Sequence, residues 1–225
     1  MNGGAGAADG ERAALAEAWR AAAADAGVAE AIRTLYAEVE AEVARRRPIC
    51  LASGRCCHFD AWGHRLFVTG LEAAWCVAEM TREADERNAL EGRGAADERG
   101  VAGGPQGVQP RDPQAARRTE LPVLPVPPVL PVLPVLPVRA AAAVTAAQVA
   151  EARARGDCPF LVGRLCGAHA ARPLGCRMFF CDPAAEEWTR ELHESSLRRL
   201  RALHDERSIP YRYGEWRDML DHLAV

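Results

Sequence analysis

Residues 121–138 read LPVLPVPPVLPVLPVLPV. Proline holds φ near one value and has no amide N–H, so it cannot sit repeatedly inside a helix or a central strand. The stretch is apolar, yet its prolines exclude a membrane-spanning helix. A P-V-L repeat suits polyproline II, whose three residues per turn put proline, valine and leucine on separate edges. A packed fold must therefore come from the sequence on either side, with the repeat as an insert between two halves. Such a segment can dock a protein partner through an aromatic-lined groove, but a stiff spacer is the simpler expectation for residues 121–138. Residues 91–120 are rich in Gly, Arg and Gln and show no period. The whole of 91–144 is expected to be a disordered Gly/Arg- and Pro-rich insert.

The flanking sequence reads as helices. Residues 1–10 carry no pattern and are expected to be a disordered N-terminus. Over 11–46, Ala14, Leu15, Ala18 and Trp19 share one face, and Ile32, Leu35, Tyr36, Val39 and Val43 form a second stripe. Gly27 is a natural break between them, and Pro48 ends the helical run after the cationic turn Arg45–Arg46–Arg47. Residues 65–69 suit a short strand. Thr69 and Glu72 then form a capping box that starts a helix running to about Leu90. In the second half, residues 145–225, Thr145 and Gln148 repeat that signature for a helix at 145–155. Asp182 and Pro183 mark the start of a helix to about His204, and 214–223 makes a short final one. The expected fold class is mainly α, one domain of two halves (11–90 and 145–225).

Charge and composition narrow the function. The 225 residues carry a net charge of −3, which argues against a nucleic-acid surface built on bulk positive charge. The cations are all arginine, so Schiff-base lysine chemistry is excluded. With no recognisable leader or membrane helix, a cytoplasmic location is expected. In a reducing compartment, clustered cysteines read as metal ligands or redox groups more readily than as disulfides.

Seven of the eight cysteines fall in two loops. Cys50, Cys56 and Cys57 lie in CLASGRCCHFD, and Cys158, Cys166, Cys176 and Cys181 in CPFLVGRLCGAHAARPLGCRMFFCD. Adjacent cysteines bridge each other poorly, so Cys56 and Cys57 are better explained by a metal. Thiolates need nearby positive charge, which Arg172 and Arg177 are placed to supply. These seven cysteines are the candidate ligands of an iron–sulfur cluster, preferably [4Fe–4S], or of zinc. Seven exceed the four that one centre needs, and the spacing leaves one centre or two open. Cys76, beside Trp75 and Val77, reads as a packed thiol of the helix after Thr69. His58 and His169 are expected to be exposed loop residues, and His193 and His204 to share the boundary face of one helix.

The order of these motifs resembles the YkgJ-like family of zinc- or iron-chelating domain proteins. In that family an early cysteine and a C-C pair precede C-P-F-L, a further cysteine, and R-P-x-x-C-R with an aromatic. Here these elements are Cys50, then Cys56–Cys57, Cys158–Pro159–Phe160–Leu161, Cys166, Arg172–Pro173–Leu174–Gly175–Cys176–Arg177, and Phe179. Five residues separate Cys50 from the pair, more than is usual for the family. The resemblance implies metal or Fe–S binding, helices packed around a small irregular centre, and an open question of activity. An Fe–S oxidoreductase or electron carrier is one alternative, and a Pro-rich adapter with a structural zinc is another. Flagellin lysine methylases look similar in cysteine pattern, which adds a methyltransferase-related alternative, although no glycine-rich nucleotide loop accompanies it.

Overall fold

The computed structural model describes residues 3–97 and 144–224, so the repeat at 121–138, expected as a spacer with partner docking as the alternative, lies outside the described residues. The described part is mainly helical, with seven α-helices and two small two-stranded sheets. No described helix is long and apolar enough to cross a membrane. The two cysteine loops belong to the compact unit formed by Met1–Glu86 and Ala140–Val225; Arg87–Arg139 make a second unit.

Helices α1 (Gly3–Ala24) and α2 (Ala26–Arg46) meet at Asp25, two residues before the expected break at Gly27. The aspartate decides the position: it takes an extended conformation, and its carboxylate accepts the Val28 amide at 2.9 Å, capping α2. Helix α1 already starts at Gly3, where a disordered tail was expected. Helix α2 ends at Arg47, in the left-handed region at φ 50°, as the following proline disfavours continued helix.

Strand β1 (Phe67–Thr69) leads directly into α3 (Gly70–Asp97), which runs past the expected end at Leu90. The capping box is present in both directions. The Thr69 amide donates to Glu72 Oε2 at 2.9 Å, and the Glu72 amide to Thr69 Oγ1 at 3.1 Å. Helix α4 (Ala146–Arg155) has the same box through Thr145 and Gln148. The second cysteine loop, expected to be irregular, contains a hairpin of β2 (Leu161–Val162) and β3 (Leu165–Cys166) and the single turn α5 (Leu174–Arg177). Asp182 caps a 3-10 turn, Pro183–Ala185, that opens into α6 (Glu186–Glu206). Strand β4 (Tyr213–Glu215) and α7 (Trp216–Leu223) complete the chain.

Strand β4 pairs antiparallel with β1, Phe67 opposite Glu215 and Thr69 opposite Tyr213, and so ties the C-terminus to the start of α3. Around this pair the core gathers Trp19, Ile32, Tyr36, Val39, Leu71, Leu200, Trp216 and Leu220. Fully burying an aliphatic or aromatic side chain of this kind contributes about 1.5–3 kcal/mol. The buried Trp19 donates from its indole N–H to the Pro210 carbonyl at 2.8 Å. Gly70 must be glycine for the same packing, because a Cβ there would enter the Trp19 ring.

Candidate metal centre

The first cysteine loop turns at Gly54, which has φ 78°, into a short 3-10 segment, Arg55–Cys57. The Cys158 amide donates to the Cys57 carbonyl at 2.7 Å, and the Asp60 amide to the Gly156 carbonyl at 3.0 Å. These bonds join the two cysteine loops backbone to backbone. His58, expected to be exposed, is half-buried in the same seam and bonds Asp157 through Nδ1 at 2.8 Å. Gly156, at φ 74°, allows the approach, since a Cβ there would come within 2.6 Å of the Asp60 side chain.

The thiols that the seam brings together come from both halves. Cys57 sits at the middle of the seam: its carbonyl accepts the Cys158 amide, and its sulfur lies 4.0 Å from that of Cys56. The neighbouring Cys158, Cys166 and Cys56 thiols, in that order, and then burial push the Cys57 thiol well above its ordinary range. The bond from Cys57 brings Cys56 down to about 6, with help from the Arg172 and His58 charges. Cys166 is lowered for the same first reason. Cys176 is raised by burial and then by the neighbouring sulfurs Cys158, Cys166 and Cys56. Cys76 is fully buried in α3, as its apolar neighbours predict, and it too feels Cys166 and Cys158. Two thiols have other surroundings. Cys50 is exposed, and Cys181 lies 3.7 Å from Ser53 Oγ.

Glu72 and Arg177 hold the second loop in place. Leu174, at the start of α5, donates its amide to Glu72 Oε1 at 3.0 Å, and the Tyr36 hydroxyl donates to the same oxygen at 3.1 Å. The Arg177 side chain is 3 % exposed. It donates to the Arg172 carbonyl at 2.9 Å and the Ala170 carbonyl at 2.6 Å, pairs with Glu40, and lies 4.2 Å over the Tyr36 ring. Its fork of donors therefore closes the 170–177 turn, and its charge acts on Cys76. Arg172 bonds His169 Nε2 at 2.8 Å.

A cavity of about 220 Å³ opens beside Cys56 and Cys176, with His64, Phe67, Phe179 and His193 among its walls. His64 was not singled out from the sequence, and its position depends on long-range packing. Its only local signal is that it lies seven residues after the C-C pair. His204, expected to share a boundary face of α6 with His193, is instead buried, with Nδ1 3.2 Å from the Ile209 carbonyl.

All eight cysteines are free. Among the described residues, no three His, Cys, Asp or Glu side chains are arranged to hold a metal ion. The chemistry of the donor set nonetheless fits a thiophilic group: free sulfurs from two loops lie near one another, Cys56 is lowered to about 6, and the Arg172 charge acts on Cys56 and Cys166. No family model, curated protein or solved structure matches the chain.

Proposed function

We propose that this chain is a metal-binding protein whose Cys56, Cys57, Cys158, Cys166 and Cys176 hold an iron–sulfur cluster, [4Fe–4S] in preference, or a zinc ion. The observation that carries the reading is the seam at Cys57, whose carbonyl accepts the Cys158 amide at 2.7 Å and whose sulfur lies 4.0 Å from that of Cys56, so that cysteines about a hundred residues apart meet. Buried thiols cluster at a cost unless something rewards it, because ionised sulfurs repel one another and neutral ones are weak hydrogen-bonders. A bound cation or cluster reverses that balance, and its binding free energy becomes folding free energy. The motif order that resembles YkgJ-like proteins points the same way. The reading places the protein in the cytoplasm, where the thiols stay reduced, and builds the helices around the centre.

The test is anaerobic purification followed by iron, zinc and acid-labile sulfide determination, with a visible spectrum. Iron with matching sulfide, and an absorption band that dithionite bleaches, is the expected result and opens the electron-carrier question. Zinc without sulfide assigns the site a structural role. Neither metal, with every thiol free to react, ends the reading.

A further inference from the structure

Two stacked ring pairs line the cavity beside the thiols. Phe67 of β1 and Tyr213 of β4 are diagonal neighbours across the paired strands, with ring centroids 6.0 Å apart. Phe179 stacks on His64 at 4.7 Å. Phe67 and Tyr213 are 44 % and 38 % exposed, and neither they nor Phe179 belong to the hydrophobic core. Three aromatic rings are thus held at a surface opening that core packing does not require. The cavity, at about 220 Å³, is larger than the roughly 150 Å³ in which an apolar cavity admits benzene. A single ring with a small substituent fits.

The polar groups of this wall are uncommitted. Among the described residues Arg65 makes no hydrogen bond or ion pair, and no Asp or Glu lines the cavity with it. The Tyr213 hydroxyl has no hydrogen-bond partner there either. Burial and then the Glu72 charge push it up to about 12, so it remains a donor at neutral pH. Cys56 takes its positive neighbours from Arg172 and His58, so Arg65 is not occupied in balancing that sulfur. The cavity at the head of α6, about 400 Å³, gives the contrast. Its Arg55 lies 3.9 Å over the Trp62 ring, and Asp182 and Glu186 share its wall.

We propose that this cavity binds a single-ring aromatic carboxylate, with its ring against Phe67, Tyr213 and Phe179 and its carboxylate on Arg65 and the Tyr213 hydroxyl. Aromatic walls reward a planar ring by offset or edge contact as well as by buried area. A guanidinium matches a carboxylate with a planar fork of donors. Apolar walls with a few placed polar groups are the usual make-up of a small-molecule site. The proposal goes beyond the metal-binding reading and does not depend on it, since the groups that hold the ligand are none of the proposed metal ligands. Cys56 and Cys176 in the same wall put the bound ring beside the proposed centre.

The experiment is a saturation-transfer NMR titration of the anaerobically purified full chain, with iron and zinc determined on the same samples. The probes are benzoate, its neutral isostere benzamide, and acetate as an anion without a ring. The wild type is compared with Arg65→Gln, Phe67→Ala and Arg198→Gln, the last removing an exposed α6 arginine outside the cavity. Arg65 and Phe67 are both exposed, so their variants keep the fold, and thermal melts alongside check that. Benzoate is expected to bind saturably with a Kd on the order of 1 mM. R65Q should weaken it about 10-fold, F67A roughly 5-fold, and R198Q not at all. Benzamide should bind the wild type more weakly than benzoate does and be indifferent to R65Q, and acetate should not saturate. Absence of saturable benzoate binding, equal affinity for benzamide, or as large a loss in R198Q as in R65Q overturns the proposal and leaves the metal reading as the metal content finds it. Protein that holds neither iron nor zinc but binds benzoate in the expected pattern keeps the proposal and ends the metal reading.

Discussion

Glu72 Oε1, at the start of α3, accepts the backbone N–H of Leu174, at the start of α5, across 102 residues of sequence. Glu72 is 1 % exposed and takes only donors: the Thr69 and Leu174 amides and the Tyr36 hydroxyl. Local capping and long-range docking therefore share one carboxylate. Glu72→Gln turns an NH₂ toward a donor and is expected to cost about 2–3 kcal/mol. Thr145→Ala, which removes the exposed cap of α4, should cost about 1 kcal/mol. Urea midpoints measure both. Equal losses would show that Glu72 only caps its own helix.

Arg177 is expected to be irreplaceable by lysine. A lysine keeps the charge but cannot reach the Ala170 and Arg172 carbonyls and Glu40 together. Arg177→Lys should cost about 2–3 kcal/mol, since a buried cation loses the bonds that satisfied it. It should also make Cys176 react faster with iodoacetamide in metal-free protein. Unchanged alkylation of Cys176 would show that the 170–177 turn holds its shape without the guanidinium.

Gly156→Ala tests the seam between the loops. The residue sits at φ 74°, and its new Cβ would press on the Asp60 side chain. The backbone term alone is about 1 kcal/mol, and the contact adds to it, for a total loss of about 2 kcal/mol or more. Adding Asp60→Gly should return the steric part but not the backbone part. Differential thermal melts of the single and double variants measure the split.

Acid should weaken the metal-free fold through its buried histidines. Burial lowers the His204 pKa from its ordinary 6.5, and the partly buried His64 and His222 are lowered likewise. A group whose folded value lies below its unfolded one contributes stability that is complete above the unfolded value. That contribution is lost as the pH falls below 6.5 toward the depressed folded values. Urea midpoints should accordingly hold above pH 7 and decline through pH 6 and 5. In His204→Asn the decline should be shallower. An identical slope in the variant would remove His204 as a source.

The helical skeleton was readable because its signals are local. Thr69 with Glu72, Thr145 with Gln148, Asp182 with Pro183, and Pro48 each mark a boundary within four residues of the group they satisfy. Even the misplaced break before α2 was a contest between two local signals, which the Asp25 cap won over Gly27. The cysteines could be sorted into two loops from spacing alone. Their common destination could not be sorted further: Cys57 gathers Cys56, Cys158 and Cys166, Cys50 stays exposed, and Cys181 turns to Ser53.

By itself the sequence determined the helix starts that carry a local cap, at Thr69, Thr145 and Asp182, and which residues are soft donors. Tertiary structure decided the pairing of β1 with β4, the second task of Glu72, the turn that Arg177 closes, and the stacking of His64 on Phe179. The physical reason is the range of the interactions. A cap or a helical stripe is settled within a turn or two by bonds the chain makes with its neighbours. A buried carboxylate, guanidinium or imidazole is placed by whichever distant groups can satisfy it once the core has closed.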